Sequence, residues 1–566
     1  MKMWNHKIIY AIFSLGILFS CETTELDLAE NPNQLPPGEA SPDFYLNKVQ
    51  EDFARLFDEE SDEGLAIVAS AVIRLSWMDT RQYLQAYSPS GFDIEWRTAY
   101  SSMLTDIYAM YPLAEEAELK KHVAMGKVFE AFTIVTLVDF FGEIPYSEAL
   151  QGAENFNPAP DPGASVYQAA LTLLDEAIIL FQDEDYLADP EFDMYYNGNW
   201  ENWEKLANSL KIKIYIQQRL VDDSAIDNIN QIVSTGMYIT DISEDFQFRW
   251  GRNIVNPDTR HPKYIDNYKS TGAESYMSNW LMNYMQSGKV GNAYSTFEKP
   301  DPRIRFYFYR QNPTTPGNGA PTNQQELTCS VEPAPQHYVD GGYTFCNLPN
   351  GYWGRDHGDD DGIPPDGNKR TTWGVYPAGG RFDDNTFEAV TISQGGGGAG
   401  ITPIFLSSTV DFLLAEISYI SGNTTEAKDH MLSGIAKSFT KVRSFGELDS
   451  SADLSLAGPE SDDTAYMNEV GQLYDDATGN EKLNIIAKEF WVTLFGNGID
   501  AYNFYRRTGA PLDLQPNLEP NPGGFIRSFL YPAAYANNNS NISQKPNVTT
   551  RVFWDNNPEE GFPIAN

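Results

Sequence analysis

Residues 120–142 read KKHVAMGKVFEAFTIVTLVDFFG, and this stretch decides the fold class. Its apolar residues Met125, Phe129, Phe132, Val135 and Val138 recur every three or four positions, which is the spacing of one face of an α-helix. The run is much longer than the strands of globular proteins. It therefore predicts a long helix with one continuous buried face.

Three further segments show the same helical spacing. They are WEKLANSLKIKIYIQQRL at 203–220, STVDFLLAEISYISGNTTEAKDHMLSGIAKSFTKV at 408–442, and EKLNIIAKEFWVTLF at 481–495. The second of them breaks at Gly422 and Asn423, so it predicts two helices that form a hairpin. Asn423 and Glu426 are placed to cap the second helix of this hairpin.

The helical pattern disappears between residues 312 and 403, where Gly, Pro, Asn and Asp dominate and only short pieces such as FEAVTIS at 387–393 are strand-like. A loop region of this length is either functional or disordered, and its tryptophans favour an ordered, functional one. No linker divides the chain after residue 20. The predicted fold is all-α, one domain at 21–566 built from paired helices, with a large irregular insertion at about 312–403 and few short strands.

The charge and composition exclude several classes of protein. The 566 residues carry 79 Asp and Glu against 39 Lys and Arg, a net charge of −40 that repels nucleic acid. Hydrophobic residues make up 41% and aromatic residues 13%, so the chain can bury a core and is not disordered. The number of aromatic rings exceeds what a core of this size requires, which predicts that some rings are exposed and contact sugars or peptides. The alternative is a Tyr-rich core.

The N-terminus has the pattern of a signal peptide at residues 1–20. Basic residues precede the apolar run IIYAIFSLGILF at 8–19, which is too short for a resident membrane helix. No later segment approaches the roughly 20 apolar residues that a membrane span needs. The run ends Leu18-Phe19-Ser20-Cys21, which resembles a bacterial lipobox except for the bulky Phe19. Cys21 is then the lipid attachment site and the first mature residue; the alternative is a chance cysteine near a secretory cleavage site.

The other two cysteines, Cys329 and Cys346, lie within the insertion. In an oxidising compartment they can form a disulfide that closes a loop, and two free thiols are the alternative. No cysteine spacing typical of a metal site occurs.

The sequence gives no clear motif for nucleotide binding or catalysis. The run GGGGAG at 395–400 contains GxGxxG, but Ile401-Thr402-Pro403 follows it where a dinucleotide loop would open into a helix. A flexible or close-packed turn is expected instead. No nucleophile or zinc-protease motif occurs in the sequence. Glycoside hydrolysis needs a pair of carboxylates, and the sequence alone does not select one pair among 79 acidic residues.

An aspartate cluster lies in GRDHGDDDGIPPDG at 354–367. Carboxylates on a Gly/Pro-rich loop, without a basic partner evident in the sequence, predict either a calcium site or a solvated acidic turn. No cofactor is otherwise required. The candidate calcium ligands are Asp356, Asp359, Asp360, Asp361 and Asp366.

Several segments in this order resemble the SusD/RagB family of Bacteroidetes nutrient-binding lipoproteins, in particular its "starch-binding associating with outer membrane" branch. They are Cys21 followed by NPN at 31–33, TLVDFFGEIPYSEAL at 136–150, the 203–220 helix, YWGRDHGDDDGIPPDG at 352–367, GVYPAGGRFDDN at 374–385, TPIFLSSTVDFLLAEISY at 402–419, LFGNGIDAYNFYRRTGAP at 494–511 and TTRVFWDNN at 549–557. The segment IIAKEFW at 485–491 departs from the Gln-Lys-Trp-like run of relatives.

The resemblance implies tetratricopeptide-like helix pairs and a lipoprotein anchored through Cys21 in the outer membrane, facing the cell exterior. It implies a non-catalytic protein that captures oligosaccharide or another nutrient and delivers it to a SusC-like TonB-dependent transporter. The alternatives are a surface glycoside hydrolase and a structural protein that binds only its transporter.

Ligand contacts are expected from rings and polar groups outside the helical periodicity, through stacking on sugar faces and hydrogen bonds to hydroxyls. Trp96, Trp203, Trp491 and Trp554 are instead expected to belong to the scaffold. The candidate ligand-binding residues are Trp77, Arg81, Tyr83, Tyr87, Tyr264, Tyr268, Trp353, Asp356 and Trp373. For each of them, core packing or loop structure is the alternative.

Overall fold

A computed structural model of the chain describes residues 40–59, 64–286, 297–315, 327–362, 366–558 and 562. The predicted signal peptide at 1–20, Cys21 and the NPN motif at 31–33 lie outside these residues.

Helices dominate the described residues. They are α1 Pro42–Leu56, α2 Leu65–Val72, α3 Tyr83–Ala86, α4 Asp93–Arg97, α5 Thr105–Glu116, α6 Lys120–Phe141, α7 Gly163–Gln182, α8 Trp200–Gln218, α9 Ala225–Thr235, α10 Pro262–Asn267, α11 Asn279–Met285, α12 Ile304–Tyr307, α13 Gln336–Gly341, α14 Ser407–Ile420, α15 Thr424–Ser444, α16 Glu460–Asp476, α17 Asn480–Thr493, α18 Ile499–Thr508 and α19 Ala533–Asn538. A π-helical turn at Thr98–Leu104 precedes α5.

In the part of the chain that the structure describes, four short strands form two small antiparallel pairs. They are β1 Phe246–Arg249, β2 Phe308–Tyr309, β3 Thr372–Trp373 and β4 Ile401–Phe405. β1 pairs with β4, with Arg249 opposite Ile401, and β2 pairs with β3, with Phe308 opposite Trp373. The prediction of an all-α fold with few short strands is confirmed.

The long helix α6 lies at the centre of the bundle. Every residue from Lys121 to Phe141 is buried except Lys127. The prediction of one buried face is therefore wrong, because α1, α5, α7 and α8 surround the helix on all sides. Of the polar residues that interrupt its apolar pattern, His122, Glu130 and Asp139 are buried as well, and each has a hydrogen-bonding partner.

Paired helices build the rest of the scaffold. α6, α7, α8 and α9 pack one against the next, and so do α14, α15, α16 and α17. The predicted hairpin is confirmed as α14 and α15, with the turn at Gly422. The predicted cap is wrong, because the amide of Asn423 donates to Glu426 at 3.3 Å and bonds no backbone N–H of α15.

Among the described helices, α7 alone has the length and apolar composition that a membrane-crossing helix needs. The sequence pattern did not predict such a segment. Val166, Ala170 and Leu174 of α7 are buried, and the helix packs against α6 and α8. This packing identifies α7 as a core helix of the bundle.

The insertion at 312–403 is ordered wherever the structure describes it. Cys329 and Cys346 form a disulfide. The FEAVTIS piece is not a strand. The glycine run at 395–400 is a close-packed turn, since a Cβ on Gly395 would lie 2.1 Å from the carbonyl oxygen of Gly380, and a β-strand rather than a helix follows it.

The carboxylate of Asp139 near the end of α6 joins three distant segments. It accepts hydrogen bonds from the hydroxyl of Tyr167, from Nδ2 of Asn503 at 2.8 Å and from the indole Nε1 of Trp554 at 2.9 Å. Burial raises the pKa of Asp139, and the Arg506 charge and the Tyr167 hydrogen bond act in the opposite direction. All four scaffold tryptophans, Trp96, Trp203, Trp491 and Trp554, are buried as predicted.

Replacing this carboxylate tests its structural importance. Asp139→Ala leaves three buried donors without their acceptor, so we expect the free energy of unfolding to fall by about 3 to 5 kcal/mol. The matched control is Asp175→Ala, which removes only an exposed ion pair with Lys211 and is expected to cost less than about 1 kcal/mol. Urea denaturation of both variants measures the difference, and equal losses would contradict a central role for Asp139.

Candidate functional site

A cleft of about 410 Å³ opens between α2, the segment from Trp77 to Glu95, and α10. We call it the aromatic cleft. Its lining residues are Ile67, Val68, Ala71, Trp77, Met78, Asp79, Ala86, Tyr87, Ser88, Gly91, Phe92, Glu95, Lys263 and Ser275. Two of the nine predicted ligand-binding residues, Trp77 and Tyr87, are therefore brought together here.

Trp77 forms one aromatic wall of the cleft and is half-buried. Its indole Nε1 donates to the carbonyl oxygen of Asp359 at 3.1 Å, so the insertion holds the ring in place. The ring packs edge-on against Tyr276, with centroids 5.2 Å apart. The remaining surface of the indole faces the cleft.

Tyr87 forms the second aromatic wall and is also half-buried. Its ring packs edge-on against Phe529, with centroids 5.5 Å apart. Burial raises the pKa of the Tyr87 hydroxyl, and the negative charge of Asp79 adds to this shift, so the hydroxyl stays protonated. No described residue forms a hydrogen bond with that hydroxyl, which leaves it available to a ligand.

Lys263, in the first turn of α10, places a positive charge in the cleft wall although the residue is only 3% exposed. His261 fixes this turn: its Nδ1 accepts from the Lys263 backbone N–H at 3.1 Å, and its Nε2 lies 3.1 Å from the Ile401 carbonyl oxygen. Burial and the nearby Lys263 charge lower the pKa of His261 to about 3, so the ring is neutral. The neutral ring can therefore accept at Nδ1 and donate at Nε2.

Two buried carboxyl groups lie behind Lys263. Asp58 accepts from the Thr402 hydroxyl, and Glu59 accepts from the Ser70 hydroxyl. Burial raises the pKa of Asp58 to about 6 and that of Glu59 to about 7, while the Lys263 charge lowers both. This group could not be predicted from the sequence, because a single Lys and two acids in a highly charged chain give no distinctive pattern.

Three predicted tyrosines are not available to a ligand. Tyr83 is fully buried, with its hydroxyl 2.9 Å from Arg74 Nη2 and 3.2 Å from His357 Nε2. Tyr264 and Tyr268 stack on each other at 4.3 Å, and their hydroxyls donate to backbone carbonyl oxygens. These three residues support the structure. The prediction that they contact a ligand is wrong, because their side chains are buried and hydrogen-bonded inside the protein.

The predicted residues of the insertion are buried as well. Trp353 is 0% exposed and packs in a small cluster that contains the disulfide cysteines, and Trp373 stacks on Phe495 at 4.8 Å. Asp356 accepts from the Cys346 backbone N–H at 2.6 Å and from Gln515 at 3.0 Å. A ligand cannot reach these side chains in the folded protein.

Arg81 lies beside the cleft and does not line it. Its guanidinium forms ion pairs with Asp360 at 2.5 Å and with Asp361 at 3.3 Å. Arg81 thus fastens the aspartate-rich part of the insertion to the segment that carries Trp77.

The aspartates of the insertion do not converge on a calcium site. Asp359 pairs with Arg355 at 3.0 Å, and Asp366 pairs with Arg370 and accepts from the Tyr276 hydroxyl at 2.7 Å. Within the described ranges, no three acidic, His or Cys side chains form a group that could hold a metal ion. The expectation that the cluster lacks basic partners is wrong, because the folded chain supplies arginines to it.

A second cavity of about 410 Å³ lies where α5, α6 and α7 meet. It is lined by aliphatic residues such as Leu119, Val123 and Ile179 with charged residues around them, and no aromatic ring of the described residues lines it. Because it offers no stacking surface, the aromatic cleft is the better candidate for a sugar.

Two family models match the sequence. Residues 32–332, more than half of the chain, match the family described as "Starch-binding associating with outer membrane". Residues 399–555 match the family described as "Susd and RagB outer membrane lipoprotein". The chain belongs to the SusD/RagB family. The family resemblance found in the sequence is confirmed, and this SusD-like chain is accordingly a nutrient-binding protein associated with the outer membrane.

Solved structures share the fold of this SusD-like protein. A SusD/RagB family protein from Bacteroides thetaiotaomicron is 18% identical, with a TM-score of 0.63, and the match covers 92% of this chain and 100% of that one. A SusD homologue from Bacteroides vulgatus is 16% identical, with a TM-score of 0.58 and coverage of 91% and 97%. A chitin-binding protein is 17% identical, with a TM-score of 0.62 and coverage of 91% and 100%.

These structures confirm the tetratricopeptide-like helical scaffold. A comparison with curated proteins found no match.

The buried acids behind the cleft predict a pH-dependent stability. Burial raises the pKa of Glu59 from 4.5 to about 7, so the folded protein retains a proton that the unfolded chain releases. The stabilisation is therefore complete below the unfolded pKa and is lost as the pH rises through about 7.

Glu59→Gln removes this contribution. We expect the wild type to lose roughly 1 to 3 kcal/mol more unfolding free energy than Glu59→Gln between the two pKa values. Denaturant melts of both proteins at a series of pH values measure this difference. Parallel pH profiles would show that Glu59 titrates normally.

Proposed function

We propose that this SusD-like protein captures an oligosaccharide in the aromatic cleft and delivers it to a SusC-like TonB-dependent transporter. We further propose that it is held at the cell exterior by a lipid on Cys21. The observation that supports ligand capture is the meeting of two half-buried rings, Trp77 and Tyr87, with unsatisfied hydrogen-bonding groups in one cleft.

The chemistry of the cleft suits a sugar. The apolar C–H face of a pyranose packs on an aromatic ring, while its hydroxyls require both donors and acceptors around the rim. Trp77 and Tyr87 supply the rings, the Tyr87 hydroxyl can donate and accept, and Asp79 accepts. The cleft volume of about 410 Å³ lies in the range of small-ligand sites, so it can hold one or two sugar rings of a longer chain.

We propose binding without cleavage and without a cofactor. The family consists of binding proteins, which supports this assignment over a glycoside hydrolase. Incubation of the purified protein with polysaccharides separates the two functions. New reducing ends would favour the hydrolase, whereas retarded mobility in a polysaccharide gel without cleavage supports capture. Retention by no glycan would favour a structural protein that binds only its transporter.

The ligand class guides the choice of probes. A structure that shares the fold belongs to a chitin-binding protein, so chito-oligosaccharides are suitable first probes. Gluco-oligosaccharides are the second set, because the matched family is described as starch-binding. The net charge of −40 makes nucleic acid an unsuitable partner.

Removing the rings tests the site directly. We expect Trp77→Ala and Tyr87→Ala each to weaken binding of the retained oligosaccharide by about 5- to 30-fold, because each loses a stacking surface worth roughly 1 to 2 kcal/mol. Isothermal titration calorimetry measures the change. The control is Phe156→Ala, whose ring is 76% exposed and does not line the cleft. Unchanged affinity in both cleft variants would place the ligand elsewhere.

The anchor is tested independently of the ligand. We expect Cys21→Ser to abolish lipid attachment, and therefore to move the protein out of the outer-membrane fraction, because serine has no thiol to alkylate. Fractionation with metabolic labelling by a radioactive fatty acid measures both effects. The ligand affinity of the released protein should equal that of the wild type. A labelled, membrane-bound Cys21→Ser protein would rule out the anchor.

A further inference from the structure

We infer that Lys263 is the hydrogen-bond donor that selects the ligand, and that the aromatic cleft accepts uncharged sugars in preference to acidic ones. This inference rests on the proposed function and specifies the ligand class and a selecting residue of the same site.

Lys263 carries the positively charged ammonium group of the aromatic cleft. The residue is 3% exposed and lines the cleft. No acceptor among the described residues forms a hydrogen bond or a close ion pair with Nζ, and Nζ is not one of the fully enclosed polar atoms. The small exposed part of this residue therefore includes Nζ, and its N–H donors can reach a ligand in the cleft.

Negative charges near Lys263 stabilise this buried cation. An ammonium group with so little exposure needs negative charge nearby. Asp58 and Glu59 both interact electrostatically with Lys263. Neither lines the cleft, and neither is within ion-pair distance of Nζ. Asp58 therefore compensates the charge from behind, Glu59 adds to this compensation as it loses its proton, and the hydrogen-bonding capacity of Nζ is left unused.

The charged residues around the cleft determine the sign of the electrostatic field that a ligand meets there. Asp79 and Glu95 line the cleft, so two acidic residues and one basic residue contribute to the field there, although Glu95 is only 4% exposed and its Oε2 is enclosed. Asp58 behind the wall adds a further negative charge, and Glu59 does so once it loses its proton as the pH rises through about 7. A carboxylate brought into the cleft would meet more negative than positive charge, and like charges in close contact oppose binding.

An uncharged sugar avoids this conflict. Its hydroxyl, ring or acetamide oxygen can accept from Lys263 Nζ, and its hydroxyl groups can donate to Asp79. Trp77 and Tyr87 bind the apolar ring face and do not distinguish neutral from acidic sugars. Lys263 and the surrounding acids therefore provide the discrimination that the rings lack.

Titration calorimetry on the full mature chain tests the inference with three probes of equal length: chito-oligosaccharides, gluco-oligosaccharides and oligogalacturonides. We expect at least one neutral probe to bind the wild type about tenfold or more tightly than oligogalacturonide. We expect Lys263→Met to weaken the neutral probe by roughly 10- to 100-fold, because it loses a charged hydrogen-bond donor. Raising the salt concentration should leave the neutral affinity unchanged, because that ligand carries no charge.

The matched control is Lys269→Met. Lys269 follows in the same segment, pairs with Glu274 and does not line the cleft, so this variant should bind as the wild type does. Lys263→Met also leaves the buried acids without their cation and can be unstable. The double variant Lys263→Met with Glu59→Gln removes one acid together with the cation, and Glu59→Gln alone is its reference. We expect the same loss of affinity between these two proteins.

The outcomes distinguish the inference from the proposed function. Binding of no probe would overturn glycan capture itself. Binding of a neutral probe with wild-type affinity by the folded Lys263 variants would overturn the role of Lys263 and leave glycan capture standing. Equal or tighter binding of oligogalacturonide would overturn the selection for uncharged sugars.

Discussion

The buried carboxylate of Asp139 is the interaction on which the rest of the structure depends. A carboxylate removed from water is costly unless its oxygens are hydrogen-bonded, and its donors come from Tyr167, Asn503 and Trp554. These three residues stand far apart in the sequence, so α7, α18 and the C-terminal segment must all assemble around α6. The next residue, Phe140, accepts a backbone hydrogen bond from Phe529, whose ring supports Tyr87. The central helix thus sets the position of one wall of the aromatic cleft.

The opposite wall depends on the insertion. The Asp359 carbonyl holds the Trp77 indole, Tyr276 packs against the same ring, and Arg81 ties the aspartate-rich loop to the segment of Trp77. Lys263 comes from a third part of the chain, at the start of α10. The cleft therefore exists only in the assembled protein. Its rings can be kept rigid because the insertion is packed against the scaffold through arginine–aspartate pairs and a disulfide.

The aromatic residues show that the sequence does not predict which rings are buried outside the helices. Tyr264 and Tyr268 stand outside any helical periodicity, which favoured a place on the surface. They are buried because glycines of two irregular segments pack against them: a Cβ on Gly398 of the 395–400 turn would approach the Tyr264 ring at 3.0 Å, and one on Gly380 of the 374–385 segment would approach the Tyr268 hydroxyl at 2.3 Å. Glycine allows two irregular segments to come this close, and irregular backbone can then form core. Trp77 and Tyr87 had the same kind of sequence context, yet no glycine-rich turn among the described residues covers them.

The sequence by itself determined the helical class, the α14–α15 hairpin, the scaffold tryptophans and the family, because periodicity and ordered motifs are read along the chain. Only the tertiary structure decided that α6 is buried on every side, that Asp359 and Asp366 face arginines and not a metal ion, and that Trp77, Tyr87 and Lys263 share one cleft. The physical reason is that solvent exposure and charge compensation are set by contacts between distant residues. The Asp139 to Trp554 hydrogen bond is one such contact, and no local pattern in the sequence reports it.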